Sequence, residues 1–267
     1  MCWTARAFSL WALSASLWAC QLAGPVVSLS APVTGVLKHL GLLTDPRLLA
    51  VSLFHPLAPQ EFVGPRLGGG LFLSQKGLVP YQNAELFHDQ SDELRRRLAG
   101  FRFKHITQVP TRGNDPFAIA RGGLAALATH LHSCESKVSA FESWLRTEEA
   151  ALRARPAFQG EVHFFLGPLR GERFPELLVV NDGAIGWWIK EGKLRTLETP
   201  LPYVRWGGKW RARSKGARFV GLDASGAVGA WQLVPLSPGH FNVQDPMALA
   251  PGVFQIEFMR RLAATDW

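Results

Sequence analysis

The sequence predicts an α+β protein with an N-terminal leader, a mixed helical region and a C-terminal antiparallel β-sheet of hairpins. Three observations carry this. From Glu161 to Val234 short apolar runs alternate with turn residues at Asn181-Asp182-Gly183, Glu191-Gly192 and Ser225-Gly226, the texture of strands joined by tight hairpin turns. Between Phe117 and Arg155 the apolar residues instead recur with helical spacing. Ahead of both, Met1 to about Gly24 has a basic start at Arg6, an apolar run and small residues at its end, the make-up of an export signal.

At 267 residues and 47% hydrophobic the chain can bury a sizeable core, which excludes a disordered protein. Basic residues exceed acidic ones by 29 to 21, for a formal charge of +8 and an isoelectric point near 9.9. Such an excess favours anionic partners: nucleic acid, lipid headgroups or acidic glycans. The cysteines are Cys2, Cys20 and Cys134. With the leader removed Cys134 stands alone, which predicts no intramolecular disulfide.

In chain order, residues 1–24 form the leader, its apolar run too short for a comfortable span of about 20 residues. The end of that run, Leu17-Trp18-Ala19-Cys20, resembles the lipobox of bacterial lipoproteins, although Trp18 departs from the residue types usual there. The resemblance implies cleavage before Cys20 and a lipid on its sulfur. An ordinary cleaved leader and a buried N-terminal helix are the alternatives.

Residues 25–66 form a loop-rich segment. Val33–Leu43 suits a short helix that ends before Asp45-Pro46, since a residue preceding proline is pushed out of the α region. Leu48–Phe54 suits a buried strand. His55-Pro56, Ala58-Pro59 and Gly64-Pro65 then force turning chain.

Residues 67–158 mix strands and helices. Gly68-Gly69-Gly70 is a turn and no phosphate loop, because no Lys-Ser/Thr follows it. Leu71–Tyr81 suits a hairpin turning at Lys76-Gly77, Ser91–Gly100 a short capped helix, and Phe101–Thr107 a strand. Asp115-Pro116 opens a helix reaching Leu131, weakened by Gly122-Gly123 at about 1 kcal/mol per glycine. A second helix, Glu135–Arg155, collects Val138, Phe141, Leu145 and Leu152 on one side for docking on the sheet, and Pro156 closes it.

Residues 159–267 make the β-rich region. Leu177–Trp187 and Val220–Trp231 share one pattern of strand, turn, small-apolar-Gly and tryptophan, which suggests repeated hairpins. In such a strand Trp187 and Trp188 point to opposite faces. Val253–Met259 suits a last strand or the start of a terminal helix.

Three groups of residues bear on function. Arg205, Trp206, Lys209, Arg211, Arg213, Lys215 and Arg218 lie in a stretch with no acid from Thr199 to Leu222. As a strand it would show a basic stripe on one face, with Trp206 free to stack on a sugar ring or base; charge guarding an edge strand explains it equally. Cys134, His240 and Asn242 or Asp245 occur in the chain order of papain-like cysteine hydrolases, with no local signature around Ser133-Cys134-Glu135. His130, His132 and Cys134 alternate by two, a spacing that cannot share one metal on a helix, so neither a metal nor a cofactor is expected.

The reading these support is an extracytoplasmic, non-enzymatic binding or assembly protein of the cell envelope, lipid-anchored at Cys20 or secreted. It would present the Arg205–Arg218 strand to an anionic glycan, a membrane surface or a protein partner. The competing classes are an extracytoplasmic Cys/His hydrolase and a nucleic-acid-binding protein.

Overall fold

The structure is a computed structural model that describes residues 20–68, 75–89, 96, 98, 103, 105–111, 113–167, 177–179, 183–196, 203–205, 218–223, 233–237, 240–243 and 250–264. Its first half runs β1 (Gln21–Leu22), β2 (Val26–Leu29), α1 (Ala31–His39), β3 (Leu48–Ser52), β4 (Arg66–Leu67), α2 (Gln75–Leu78), β5 (Glu85–Asp89), β6 (His105–Val109), α3 (Pro116–Leu127), β7 (Leu131–His132) and α4 (Glu135–Ala154).

Strands β2 to β6 form one sheet in the order β4-β3-β2-β5-β6, and every pairing in it is parallel. A parallel sheet is covered on both faces, so its strands are near-continuous apolar runs. Val26-Val27-Ser28-Leu29 is buried at all four positions. Val26, Val51 and Phe87 join the main core, while Val27, Leu29, Ala50 and Leu86 join a smaller cluster with Leu78, Ala84 and Leu98.

Helix α1 leaves β2 through Ser30 and carries Pro32 in its first turn, where a missing N–H leaves no bond unmade. It lies inside the molecule, with seven of its nine residues buried. Glycines make this possible, for a Cβ at Gly35 would stand 2.8 Å from Val253 and one at Gly123 would stand 2.9 Å from the Pro32 backbone. Helix α3 begins at Asp115, whose carboxylate accepts from the N–H groups of Phe117 and Ala118 at 2.9 and 3.0 Å. The 20-residue α4, about 30 Å long, buries Phe141, Leu145 and Leu152 and carries the chain to a second sheet.

That half comprises β8 (Val162–Gly167), β9 (Leu177–Val179), α5 (Gly183–Lys190), β10 (Tyr203–Arg205), β11 (Arg218–Asp223), β12 (Leu233–Ser237), β13 (His240–Val243) and α6 (Val253–Ala264). The strand order is β10-β9-β8-β11-β13-β12. β8 and β11 pair in parallel along six residues, and β11 and β13 are also parallel, whereas β8–β9, β9–β10 and β12–β13 are antiparallel. Helix α6 packs against α1, α3, α4 and α5. One apolar cluster therefore runs from Leu22 through Phe164 to Leu262 and ties both halves together.

Several expectations are corrected. The fold is α/β with parallel strands at its centre, not α+β with a C-terminal sheet of antiparallel hairpins. The boundary expected at residues 66/67 falls inside β4, a strand of the first sheet, and residues 20–24 of the expected leader are among the described residues, with Gln21–Leu22 in β1. Gln75–Leu78 is helical and Val79–Tyr81 a 3-10 turn, so no hairpin turns at Lys76-Gly77.

Gly183–Lys190 is a helix, so Trp187 and Trp188 do not point to opposite faces of a strand. Both are buried, Trp187 against Phe117 and Trp188 against Phe158 and Phe258. A short apolar run fits either period, and packing against α3 and α6 decides it. The first of the two expected hairpin repeats thus turns into helix; the tail of the second lies outside the described residues, as does most of Ser91–Gly100. The helices expected near Val33–Leu43, Phe117–Leu131 and Glu135–Arg155 are present, and Val253–Met259 starts a helix. Among the described residues no helix is long and apolar enough to cross a membrane.

Candidate ligand-binding site

The first sheet reverses its strand order between β2 and β5: the chain steps outward through β3 and β4 on one side, then returns to add β5 and β6 on the other. In open parallel sheets the connections leave in opposite directions at such a point, and the crevice outside the carboxyl ends of the strands is where ligands bind. At that end lie Ser30 after β2, Leu53-Phe54-His55 after β3, and His88-Asp89 closing β5.

Ser28, fully buried, donates to the Ser30 carbonyl at 3.1 Å and lies 2.8 Å from the Thr34 hydroxyl, which fixes the turn from β2 into α1. The Ser30 side chain makes no capping bond to its own helix. Its buried Oγ and the buried Oδ1 of Asp89 make no hydrogen bond of ordinary geometry among the described residues, although the Ser30 hydroxyl stands close enough to act on the Asp89 carboxyl. Burial pushes the Asp89 carboxyl up to about 6, against the smaller opposing pull of the Ser30 hydroxyl and the Ala31 amide. Beside it, His88 is almost fully buried, and its Nδ1 donates to the Asp89 carbonyl at 2.8 Å. Burial lowers the His88 pKa, which keeps the ring neutral.

The turn after β3 places exposed apolar residues at the same end of the sheet. Leu53 and Phe54 are 51% and 41% exposed, while His55 beside them is only 4% exposed. Burial, helped by the Arg66 guanidinium, drives the His55 pKa down to about 3, and its Nδ1 has no partner among the described residues. Arg66 holds this turn by donating to the carbonyls of Leu57 and Ala58 at 2.9 and 3.0 Å. The arrangement offers an uncharged imidazole, a carboxyl with its pKa raised to about 6 and a poorly satisfied hydroxyl to a ligand. No group of three metal-ligating side chains exists among the described residues.

The residues singled out in the sequence lie elsewhere. Arg205 ends β10 and Arg218 begins β11. Arg205 is level with Leu222, because Leu177 pairs with both Arg205 and Leu166, and Leu166 pairs with Leu222. The two arginines are thus three strand spacings apart across the sheet and four residues apart along it, each offset about 13–14 Å. Trp206, Lys209, Arg211, Arg213 and Lys215 lie outside the described residues.

His240 begins β13 and Asn242 lies within it, opposite Val234; Asp245 is outside the described residues. Cys134 is bonded to Cys20. This corrects the expectation of no intramolecular disulfide, and in this structure both sulfurs take part in that bond. The expectation fails because it counts Cys20 with the removed leader.

No protein-family model matches the chain, and no curated protein is similar to it in sequence. Solved structures do match. The periplasmic heme-binding protein HutB of Vibrio cholerae superposes with a TM-score of 0.65 at 14% identity, over 90% of this chain and 98% of that one. The periplasmic vitamin B12-binding protein BtuF of Vibrio cholerae gives 0.64 at 12% identity, over 91% and 96%. An ABC transporter substrate-binding protein from Listeria monocytogenes gives 0.61 at 9% identity, over 90% and 97%. At these identities the likeness speaks for architecture, and nearly the whole of each chain takes part in it: this chain has the fold of periplasmic substrate-binding proteins.

Proposed function

We propose that the protein is an extracytoplasmic, non-enzymatic binding protein that takes a small ligand at the carboxyl ends of β2, β3 and β5 and hands it to a membrane transporter. The observation that carries this is the meeting of Ser30 and Asp89, two buried polar side chains that make no well-formed hydrogen bond among the described residues, at the reversal of the first sheet. Buried polar atoms in a native protein are nearly all well bonded, so two poorly satisfied ones at the same sheet end mark a place where a ligand's hydrogen bonds fit. Phe54 and Leu53 add the exposed apolar surface that a broad, flat ligand covers.

The ligand class is the metal tetrapyrroles. HutB binds heme and BtuF binds vitamin B12, and both share this fold over nine-tenths of this chain. The Listeria neighbour, a transporter's substrate-binding protein, supports the hand-over step. Those ligands lend no support to a nucleic-acid or glycan partner.

Titration of the purified chain with hemin and with cyanocobalamin, followed by the ligand's visible absorbance, tests the reading. Saturable binding of one of them at one equivalent is expected. Absence of saturable binding of both at concentrations up to about 100 µM, on the order of the weaker affinities of transient recognition, would remove the ligand class.

A further inference from the structure

The bond between Cys20 and Cys134 joins the first described residue to the start of the long helix. β1 pairs with β7 so that Gln21 lies opposite His132 and Leu22 opposite Leu131. Immediately beyond, Ser133 takes a left-handed backbone conformation, φ 55°, which side-chain-bearing residues seldom adopt. That reversal sets Cys134 beside Cys20, and Cys134 is almost fully buried there.

The segment carrying Cys20 is anchored from three further directions. The Leu22 N–H donates to the Asp45 carboxylate at 2.7 Å, and the Ala23 N–H donates to the His130 carbonyl at 2.8 Å. The Arg47 guanidinium donates to the Gln21 side chain at 2.6 Å and to the Leu22 carbonyl. Leu22 itself is fully buried in the main core.

We propose that Cys20 leaves export as one half of this disulfide and not as a lipid-bearing residue. A lipoprotein anchor is a thioether on the cysteine sulfur, and one sulfur cannot carry both that bond and a bond to Cys134. In forming the disulfide the two thiols give up two protons and two electrons. A thiol-disulfide oxidoreductase of the export compartment accepts them, and its own disulfide becomes a dithiol. An oxidising compartment then preserves the bond. The lipobox-like Leu17-Trp18-Ala19-Cys20 is on this account a coincidence of an ordinary leader. The inference stands on the cysteines alone and is independent of the ligand site.

The test is a cysteine map of the full 267-residue chain exported by a bacterial host and purified without reductant. The chain is denatured, treated with N-ethylmaleimide and digested. Cys20 and Cys134 are expected in one linked peptide pair, unalkylated until a reductant is added, with no added acyl mass. Alkylation of Cys134 before reduction, or an acylglyceryl mass on Cys20, overturns the proposal. In the Cys134→Ser variant Cys20 should react without reductant; a Cys20 that stays blocked there is held by something other than Cys134 and overturns it equally. If that variant does not fold, the wild-type map still decides.

Discussion

Asp89, the last residue of β5, meets Ser30, the residue that leads from β2 into α1, at the point where the first sheet reverses its strand order. Neither the Asp89 Oδ1 nor the Ser30 Oγ makes a well-formed hydrogen bond among the described residues, although both are buried and the Ser30 hydroxyl acts on the Asp89 carboxyl. The contact stores unmet hydrogen-bonding capacity in the crevice where open parallel sheets take their ligands.

The Asp89 carboxyl makes stability depend on pH with a definite sign. Its pKa rises from 3.8 to about 6 on folding, so the folded chain holds the proton more tightly than the unfolded one. The stabilising effect of that proton is complete below about pH 4 and is lost as pH climbs through about 6. Two pK units correspond to about 3 kcal/mol, and residual exposure of the side chain brings the expected change to about 2 kcal/mol. Asp89→Asn should flatten this slope and raise stability at pH 7.5 by about that amount in urea unfolding. An unchanged slope between pH 4 and 7 contradicts the assignment.

Adjacent glycines of α3 should respond oppositely to the same substitution. A Cβ at Gly123 would press on the Pro32 backbone, and Gly123→Ala should lose about 1–3 kcal/mol through overpacking. A Cβ at Gly122 would meet nothing within 4 Å, and Gly122→Ala should gain up to about 1 kcal/mol from helix propensity. Thermal melts of the two variants check the pair; equal signs would mean that α1 and α3 do not approach as described.

The disulfide spans a sequence separation of 114, and removing it should lower stability by about 2–5 kcal/mol. Wild-type protein should melt lower when a reductant is added, whereas Cys134→Ser should start lower and ignore the reductant. A melt of wild type that is indifferent to reductant contradicts a structural role for the bond.

The helices were legible in the sequence because each carries its own punctuation. Asp115-Pro116 caps α3, Pro156 ends the run of α4, and Phe141, Leu145 and Leu152 keep one face. The sheets were not, because pairing partners leave little local trace. Val162–Gly167 and Arg218–Asp223 are neighbours across more than fifty residues, and the turn-like residues between them suggested hairpins that a parallel ladder replaces. The first sheet did offer a signal: Val26–Leu29 and Leu48–Ser52 are mostly apolar runs, broken only by Ser28 and Ser52, and not alternating ones, as buried parallel strands require.

The site escaped for a related reason. The charge run around Arg205–Arg218 is a strong local signal, whereas the polar groups at the reversal of the first sheet are single residues at strand ends. Ser30 and Asp89 are 59 positions apart, and only the order β3-β2-β5 brings them together. His55 looked like part of a proline-rich loop, and nothing local announces that it is buried.

Phe54 separates binding from folding. Because Phe54 is 41% exposed, Phe54→Ala should cost only about 1–2 kcal/mol, the partial burial of an aromatic ring, and the chain should stay folded. The same variant should weaken hemin or cobalamin binding several-fold, read by absorbance titration. Unaltered affinity would take the turn after β3 out of the site.

The most direct test of the account is the affinity of Ser30→Ala for whichever of hemin or cyanocobalamin wild type binds, measured beside Thr147→Ala on the exposed flank of α4 as a control. The account predicts a loss of about tenfold for Ser30→Ala, the worth of one buried hydrogen bond of about 1.4 kcal/mol, and none for Thr147→Ala. Equal affinities in wild type and Ser30→Ala would contradict a ligand seated between β2 and β5.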